Sequence, residues 1–531
     1  MKIYPTNLIL TLLLIISFSV FAQTKSKKSA KKPNVIVIFA DDLDADEVNI
    51  TAKDPAWATF STAKANGVKV GKKAGTPGLL TPNIDKLASE GAIFDRFYVT
   101  ATVCTPSRYV LLTGRYATKG PQMLDLFPEG TQATLNWDPA LLKEETNIAK
   151  EFQKKGYRTG IVGKWHNMPE DEIKTQKLKK EERKPHPTIE EFESYNHKMV
   201  NNYNANMDYF EEGYGWDVVD KMEWGNSVVN LGWMAEGALD FIEESKDEPF
   251  FLYLPLPVPH GQYRFDYNRV KDLNLMVSAE GILDRQPTVL PSSEDLYKRL
   301  QENNIPEENA MATHMDDYVG AVMNKLKELG IDENTLVIFT SDHGSRGKNS
   351  CYEGGARVPF FAYWPGHIKA GTRSSSLIAS NDVVVTLADI VGIDLPNDMT
   401  EDGLSFVNQL MGKGEPKKWR EHMLIEAGSS KGIVTKDYKY IANRVTPEIE
   451  AKMKANPKKV FWTGRDHHNY GTEKIYPGFW DADQLYNLNE DLFEQNNIAD
   501  KEKGMVKKMQ EILTEYMNEL PHSFGEFSSK Q

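Results

Sequence analysis

Cysteine is nearly absent: Cys104 and Cys351 are the two in 531 residues. A disulfide-built scaffold is therefore excluded. Three readings stay open for the pair: one disulfide in an exported protein, two inert core thiols, or a thiol with a chemical task. Positive charge is also short. Lys and Arg number 63 against 76 Asp and Glu, a net charge of −13. Beyond a short N-terminal lysine cluster no basic face shows, which excludes a nucleic-acid binder. An anionic substrate would have to be drawn by a local cluster of Lys, Arg, His and metal acting against the overall field. Long hydrophobic runs are missing after the N-terminus, and with them any later membrane span, which needs about 20 apolar residues. No internal repeat is visible.

The exception is Leu8–Phe21, an almost uninterrupted apolar run. Lys2 precedes it and Val20-Phe21-Ala22 offers a small-residue cleavage site, so residues 1–22 read as a signal peptide with Gln23 as the mature start. An uncleaved anchor is the alternative, and no Cys follows to carry a lipid. Residues 23–32 are polar and Lys-rich, a disordered leader. The mature chain is expected to be periplasmic or secreted, with no membrane span.

From Pro33 onward the chain reads as an ordinary globular protein, 40% apolar and 26% charged. Residues 34–40 (NVIVIFA), 159–162, 249–254 (PFFLYL), 335–340 (TLVIFT) and 359–364 (PFFAYW) are continuous apolar runs. Runs of this kind suit strands buried on both faces. Helical stretches precede several of them: 146–155, 233–244, and a segment whose Met311, Met315, Val319, Val322, Leu326 and Leu329 form one stripe ended by Gly330. The alternation predicts an α/β fold, a large mostly parallel sheet flanked by helices. Residues 419–531 change character. Short runs at 422–426, 432–435 and 438–442 suggest an antiparallel sheet, and a helix follows at about 501–519. The expected organisation is a catalytic domain at 33–418 and a smaller C-terminal α+β domain at 419–531. The charged stretch 170–184 reads as a solvated surface insertion. In parallel sheets ligands bind beyond the carboxyl ends of the strands. This singles out Asp41, Asp42, Lys164, His166, His260, Asp342 and His343.

Cys104-Thr105-Pro106-Ser107-Arg108, followed by Gly114-Arg115, resembles the Cys-x-Pro-Ser-Arg signature of the formylglycine-dependent sulfatase family, within the alkaline phosphatase superfamily. Further matches follow in order. Asp41-Asp42 and Asp342-His343-Gly344 end two strands. Gly163-Lys164-Trp165-His166 resembles the family's Gly-Lys-Trp-His segment, Pro259-His260 its Pro-His pair, and Lys348 to Gly355 its Lys-x-x-x-Tyr-Glu-Gly-Gly segment. Thr81 to Asp85, Met315 to Gly320 and Leu485 to Leu488 resemble supporting motifs. The resemblance covers about residues 33 to 520 and is strongest for a bacterial polysaccharide sulfatase.

It implies an alkaline phosphatase-like fold and a sulfuric ester hydrolase in which Cys104 is oxidised to formylglycine. The hydrate of that aldehyde supplies one hydroxyl to attack sulfur and another to expel sulfate, an exit a plain Ser or Cys lacks. It also implies one Ca²⁺, held by Asp41, Asp42, Asp342 and His343 together with the modified Cys104. The family more often has Asn where His343 stands, which leaves the metal's identity open. By the same resemblance Lys164 and Lys348 contact sulfate, and Arg108 holds the modified residue and the metal ligands. His166 accepts a proton during sulfate release, and His260, alone or with Lys348, protonates the leaving alcohol. Cys351 is assigned to packing. The implied partners are a sulfated carbohydrate, such as ulvan, another algal glycan or a glycosaminoglycan, and a maturation enzyme, either formylglycine-generating or an anaerobic sulfatase-maturating enzyme. Two rivals remain: a phosphodiesterase or phosphonate monoester hydrolase of the same superfamily, and a non-catalytic binder of sulfated glycans. Trp57, Tyr263 and Trp462 are candidates for stacking on sugars, with a core role the stronger expectation for each. The long stretch 48–80 is expected to form loops near the cleft.

Overall fold

The computed structural model describes residues 32–54, 56–57, 78–169, 189–211, 213–223, 230–260, 276–455 and 472–528. The proposed signal, the leader up to residue 31, most of the 48–80 stretch, the 170–184 insertion, Tyr263 and Trp462 lie outside them. Residues Pro33–Gln531 group into one compact unit.

Eight strands form the main sheet: β1 (Asn34–Ala40), β2 (Ala92–Phe94), β3 (Arg158–Lys164), β4 (Val218–Glu223), β5 (Phe250–Pro255), β6 (Thr335–Ser341), β7 (Phe360–Tyr363) and β8 (Thr372–Ser374). Their order is β8-β2-β7-β6-β1-β5-β3-β4. β7 pairs antiparallel with both β6 and β2, and the remaining pairings are parallel. The sheet is thus mostly parallel, as the buried apolar runs predicted. β1 lies at its centre, between β6 and β5, with all seven residues buried.

Alternation along β1 explains the layers. Ile36 and Ile38 pack with residues of α1 (Pro82–Ser89), α4 (Leu231–Glu244) and α5 (Ala310–Glu328). Val35, Val37 and Phe39 face the opposite way, against α2 (Cys104–Thr113), α3 (Ile148–Lys154) and α6 (Asn381–Val391). The expected stripe of α5, from Met311 to Leu326, lies in the first of these layers. α3 begins where Asn147 accepts from the Lys150 amide at 3.2 Å, a side-chain N-cap. The 146–155 and 233–244 helices and the five apolar runs are therefore present, each within a few residues of its expected bounds. β2, β4 and β8 were not expected; β2 lies inside the sheet but is three residues long, too short to form a run. As for β4 and β8, the reason is their place. Both are edge strands with half-exposed, partly polar residues, so no continuous apolar run announces them.

A second sheet is antiparallel throughout: β9 (His422–Ala427), β10 (Ser430–Thr435), β11 (Tyr438–Asn443) and β12 (Asp483–Asn487). One face carries Leu424, Ile433 and Tyr440 against Met509, Leu513 and Met517 of α7 (Lys503–Glu519). The other carries Met423, Ile425 and Val434 against Cys351 and Tyr352. This sheet therefore backs the Lys348–Gly355 segment, and Cys351 is the packing residue expected of it. Both cysteines are free and buried, which removes the disulfide reading. No helix among the described residues is long and apolar enough to cross a membrane.

Packing between α4 and the sheet leaves no spare volume at Gly160 of β3. A Cβ built there would stand 2.4 Å from the Phe241 ring. Gly160→Ala is expected to cost about 1–3 kcal/mol by overpacking. In urea unfolding the cost should shrink when Phe241 is also changed to Leu; equal costs in both backgrounds would place the strain elsewhere.

Candidate active site

The carboxyl ends of β1, β3, β5 and β6 all open onto one edge of the sheet, and α2 points its N-terminus at the same place. Asp41 and Asp42 leave β1, Asp342 and His343 leave β6, and Lys164 closes β3. Lys164 reaches that edge through a register irregularity between Val162 and Lys164. The intervening Gly163 has φ 124°, and a Cβ on it would lie 2.2 Å from the Pro255 carbonyl oxygen, so only glycine fits. Asp42 also adopts a left-handed backbone, φ 61°. Its amide donates to Asp342 Oδ1 at 3.0 Å, tying the β1 end to the β6 end.

Cys104 is the first residue of α2, where the positive end of a ten-residue helix favours an anion. Its Sγ is 3.4 Å from Asp41 Oδ1, 3.3 Å from His343 Nε2 and 3.4 Å from Lys348 Nζ. Arg108, one helical turn on, places Nη2 3.1 Å from Asp342 Oδ2 and 3.7 Å from Asp41 Oδ1. Lys164 Nζ lies 2.5 Å from Asp41 Oδ2, and Lys348 Nζ 2.9 Å from Asp42 Oδ1. His260 Nε2 is 3.4 Å from Lys348 Nζ and 3.7 Å from Asp42 Oδ2. His166 follows β3 with a left-handed backbone, φ 60°, and its Nδ1 is buried with no hydrogen-bond partner. Its imidazole is pushed well below the usual range, first by burial and then by the charges of Lys164 and Arg108, and its ring centroid lies 5.4 Å from that of Trp137. All ten residues singled out in the sequence meet at this one place.

The electrostatics are those of crowded acceptors. Burial alone would raise the Asp41 carboxyl, but Lys164, His260, Arg108 and Lys348 together hold it well below the ordinary range. Burial likewise opposes ionisation of Asp42, and Lys348, His260 and His343 overcome it. Asp342 goes the other way: burial and the charge of Asp41 push it well above the carboxylate range despite Arg108. Three carboxyl groups this close repel one another, and Asp342 is the one left raised. His343 adds to the crowding. Burial pushes its imidazole down to about 3, so it is neutral. Its Nδ1 lies 3.2 Å from the Gly344 carbonyl oxygen, which can only accept, so Nδ1 holds the proton. The Nε2 lone pair then faces Asp42 Oδ1 at 3.2 Å and Asp342 Oδ1 at 3.7 Å, acceptor against acceptor. A cation among them resolves that conflict. Ligand atoms of Asp41, Cys104, Asp342 and His343 lie within 4.8 Å of one another, as do those of Asp41, Asp42, Cys104 and His260. The cluster can hold a metal ion. Burial, then Asp41, pushes the Cys104 thiol well above its ordinary range, which disfavours the thiolate.

A family model described as sulfatase matches residues 33–393, and one described as N-sulphoglucosamine sulphohydrolase, C-terminal, matches 341–452. The chain belongs to the sulfatase family. It is a sulfuric ester hydrolase. Among similar proteins, the ulvan-active sulfatase of Formosa agariphila is 26% identical, with 94% of this sulfatase and 84% of the relative covered. The N-acetylgalactosamine-6-O-sulfatase of Bacteroides thetaiotaomicron is 25% identical over 92% and 94%. An arylsulfatase of Hemicentrotus pulcherrimus is 28% identical, but the match spans 72% of this sulfatase and 63% of that protein. A solved sulfatase from Pseudoalteromonas sp. superposes with TM-score 0.55 at 22% identity, covering 93% and 92% of the two chains, and so shares the fold. A structure in complex with its substrate, D-glucosamine-2-N,6-O-disulfate, has TM-score 0.56 at 18% identity, covering 92% and 99%.

Two residues of the sulfatase's site escaped the sequence reading. Trp137 lies with its ring centroid 5.6 Å from Lys348 Nζ and 5.4 Å from the His166 ring. Nothing local marks it, because its place depends on anchors far away in sequence. Asp44 accepts from the Ser345 amide at 2.8 Å and the Ser345 hydroxyl at 2.6 Å, clamping the loop after His343 onto the loop after Asp42. Its acidic character was visible, but its partner lies 301 residues on. Trp57 takes the core role: it is buried, with the Arg357 guanidinium 4.7 Å from its ring centroid.

Asp44→Ala strips these acceptors from the loop and is expected to lower stability by about 2–3 kcal/mol, read as the midpoint of chemical unfolding. An unchanged midpoint would mean that the loop is held by other contacts.

Proposed function

We propose that this chain is an exported sulfatase of sulfated carbohydrates, working through a formylglycine made from Cys104 and a Ca²⁺ held by Asp41, Asp42, Asp342 and His343. The observation that carries the reading is the position of Cys104 Sγ, within 3.4 Å of a carboxylate, an imidazole and an ammonium at the mouth of the sheet. The donor set fits the ion: three carboxylates offer the oxygens Ca²⁺ takes, and the His343 lone pair faces the same point. Bound there, the ion would neutralise the carboxylates, polarise the sulfate oxygens and acidify a neighbouring hydroxyl. Formed at Cys104, the hydrated aldehyde would supply two hydroxyls, one as nucleophile toward sulfur and one to allow release of sulfate.

The chain's own groups have these roles. Lys164, Lys348 and Arg108 set fixed positive charge around position 104, the local attraction that an overall charge of −13 demands for an anionic substrate. Arg108, bonded to Asp342, also fixes the carboxylate beside the reacting centre. Lys348 and His260, 3.4 Å apart, stand where a proton is needed by the departing alcohol. His166 Nδ1, without a hydrogen-bond partner, is open to take the proton released as sulfate leaves. Residues 1–22 act as the export signal ahead of the 23–32 leader, 33–418 form the catalytic domain and 419–531 a smaller domain behind it. A formylglycine-generating or anaerobic sulfatase-maturating enzyme is the required partner. Support for a carbohydrate substrate comes from the relatives acting on ulvan and on N-acetylgalactosamine sulfate.

Peptide mass spectrometry of protein from its native host is expected to find an aldehyde in place of the thiol at Cys104; an unmodified thiol would favour a binder of sulfated glycans instead. Cys104→Ala should lower turnover of sulfate esters by about 10³-fold or more, measured by sulfate release across a glycan panel. Faster hydrolysis of matched phosphate esters by the unaltered protein would move the assignment to the phosphodiester branch. Chelation should abolish activity and lower Tm, with Ca²⁺ restoring both; recovery with Zn²⁺ alone would replace calcium in the scheme.

A further inference from the structure

The reacting cluster has a buried floor and a partly exposed rim. Cys104, Lys164 and His343 are fully buried, and Asp42 and Lys348 are each 3% exposed. His166, His260 and Trp137 are half-buried. Whatever is attached to a sulfate seated on the floor must leave past these rim groups. Trp137 is the large apolar surface among them. It is firmly set: the Leu135 amide donates to the Gly428 carbonyl at 3.3 Å, the Ala140 amide to Gln122 Oε1 at 2.6 Å and the Leu141 amide to the Asn167 carbonyl at 3.0 Å. The segment is thus pinned on both sides of the indole, and little ordering remains to be done on binding.

The electron-rich face of an indole attracts the Lys348 ammonium and repels a sulfate group. A substrate therefore divides itself at this point: its anionic end goes to the lysines, and an uncharged surface goes to the indole. The C–H face of a six-membered sugar ring is flat, weakly positive and of matching size. A flexible alkyl chain would have to lose conformational freedom to cover the same area. We propose that Trp137 is a specificity-determining residue that carries the sugar ring bearing the scissile sulfate. The inference rests on the sulfatase reading of the cluster and adds to it a preference for alcohols carried on a sugar ring over alkyl alcohols.

The test is a ratio, so that any loosening of Lys348 or His166, which would affect every substrate, cancels. The calcium-loaded, matured enzyme is assayed on galactose 6-sulfate and on hexyl sulfate. The ratio of kcat/KM for the first over the second is expected to fall about tenfold in Trp137→Leu, carried mainly by KM, and to recover most of the way in Trp137→Phe. In parallel, Kd for galactose 6-sulfate on Cys104→Ala protein should rise about tenfold when Trp137→Leu is added, read by calorimetry, which needs no turnover. A ratio that moves less than about twofold, with both activities falling together, would make Trp137 a support for Lys348 and His166 and overturn the proposal. No sulfate release by the wild-type enzyme from either ester or from any glycan of the panel would instead strike the sulfatase reading itself.

Discussion

The constraint on which the architecture turns is the burial of like-charged acceptors at a single point. Asp41, Asp42 and Asp342 converge with the lone pair of a neutral His343, away from water. Such a cluster is unstable in isolation, since each group costs several kcal/mol to bury charged and the groups repel one another. The fold compensates with cations on three sides: Arg108 from α2, Lys164 from β3, and Lys348 from the loop after β6. The remaining imbalance, expressed in the raised Asp342, is what a divalent ion would remove.

Everything else serves to hold those groups at fixed distances. Parallel strands deliver Asp41, Lys164 and Asp342 to the same edge because neighbouring strands end together: Ala40 lies opposite Ser341. α2 brings Cys104 and Arg108 in on one face, four residues apart. The second sheet presses on Cys351 and Tyr352, so the segment that carries Lys348 is backed by a core of its own. Rigid elements rather than free loops thus place the chemistry, which suits a site whose electrostatics must be organised before substrate arrives.

The central strands were legible because burial on both faces favours apolar residues; β1 and β6 are buried from end to end, with the apolar stretches VIVIFA and LVIF at their centres. The edges were not. Val218–Glu223 is only half-buried over its first four residues and mixes Asp and Lys with apolar residues, a pattern no different from a loop. In the site the polar residues directly after apolar strands could be read, since chain order alone assigns them to the active edge. Trp137 could not, because its segment is pinned by bonds from Leu135, Ala140 and Leu141 to Gly428, Gln122 and Asn167. Trp57 shows the converse: an aromatic in a promising loop whose ring lies under Arg357 in the interior.

Position 104 has no accessible surface at all. An enzyme that must grip the surrounding pentapeptide to oxidise it would find nothing to hold once β1, β6 and α2 have come together. Under the proposed maturation the covalent change would therefore have to precede folding, and a chain that folded first would keep its thiol.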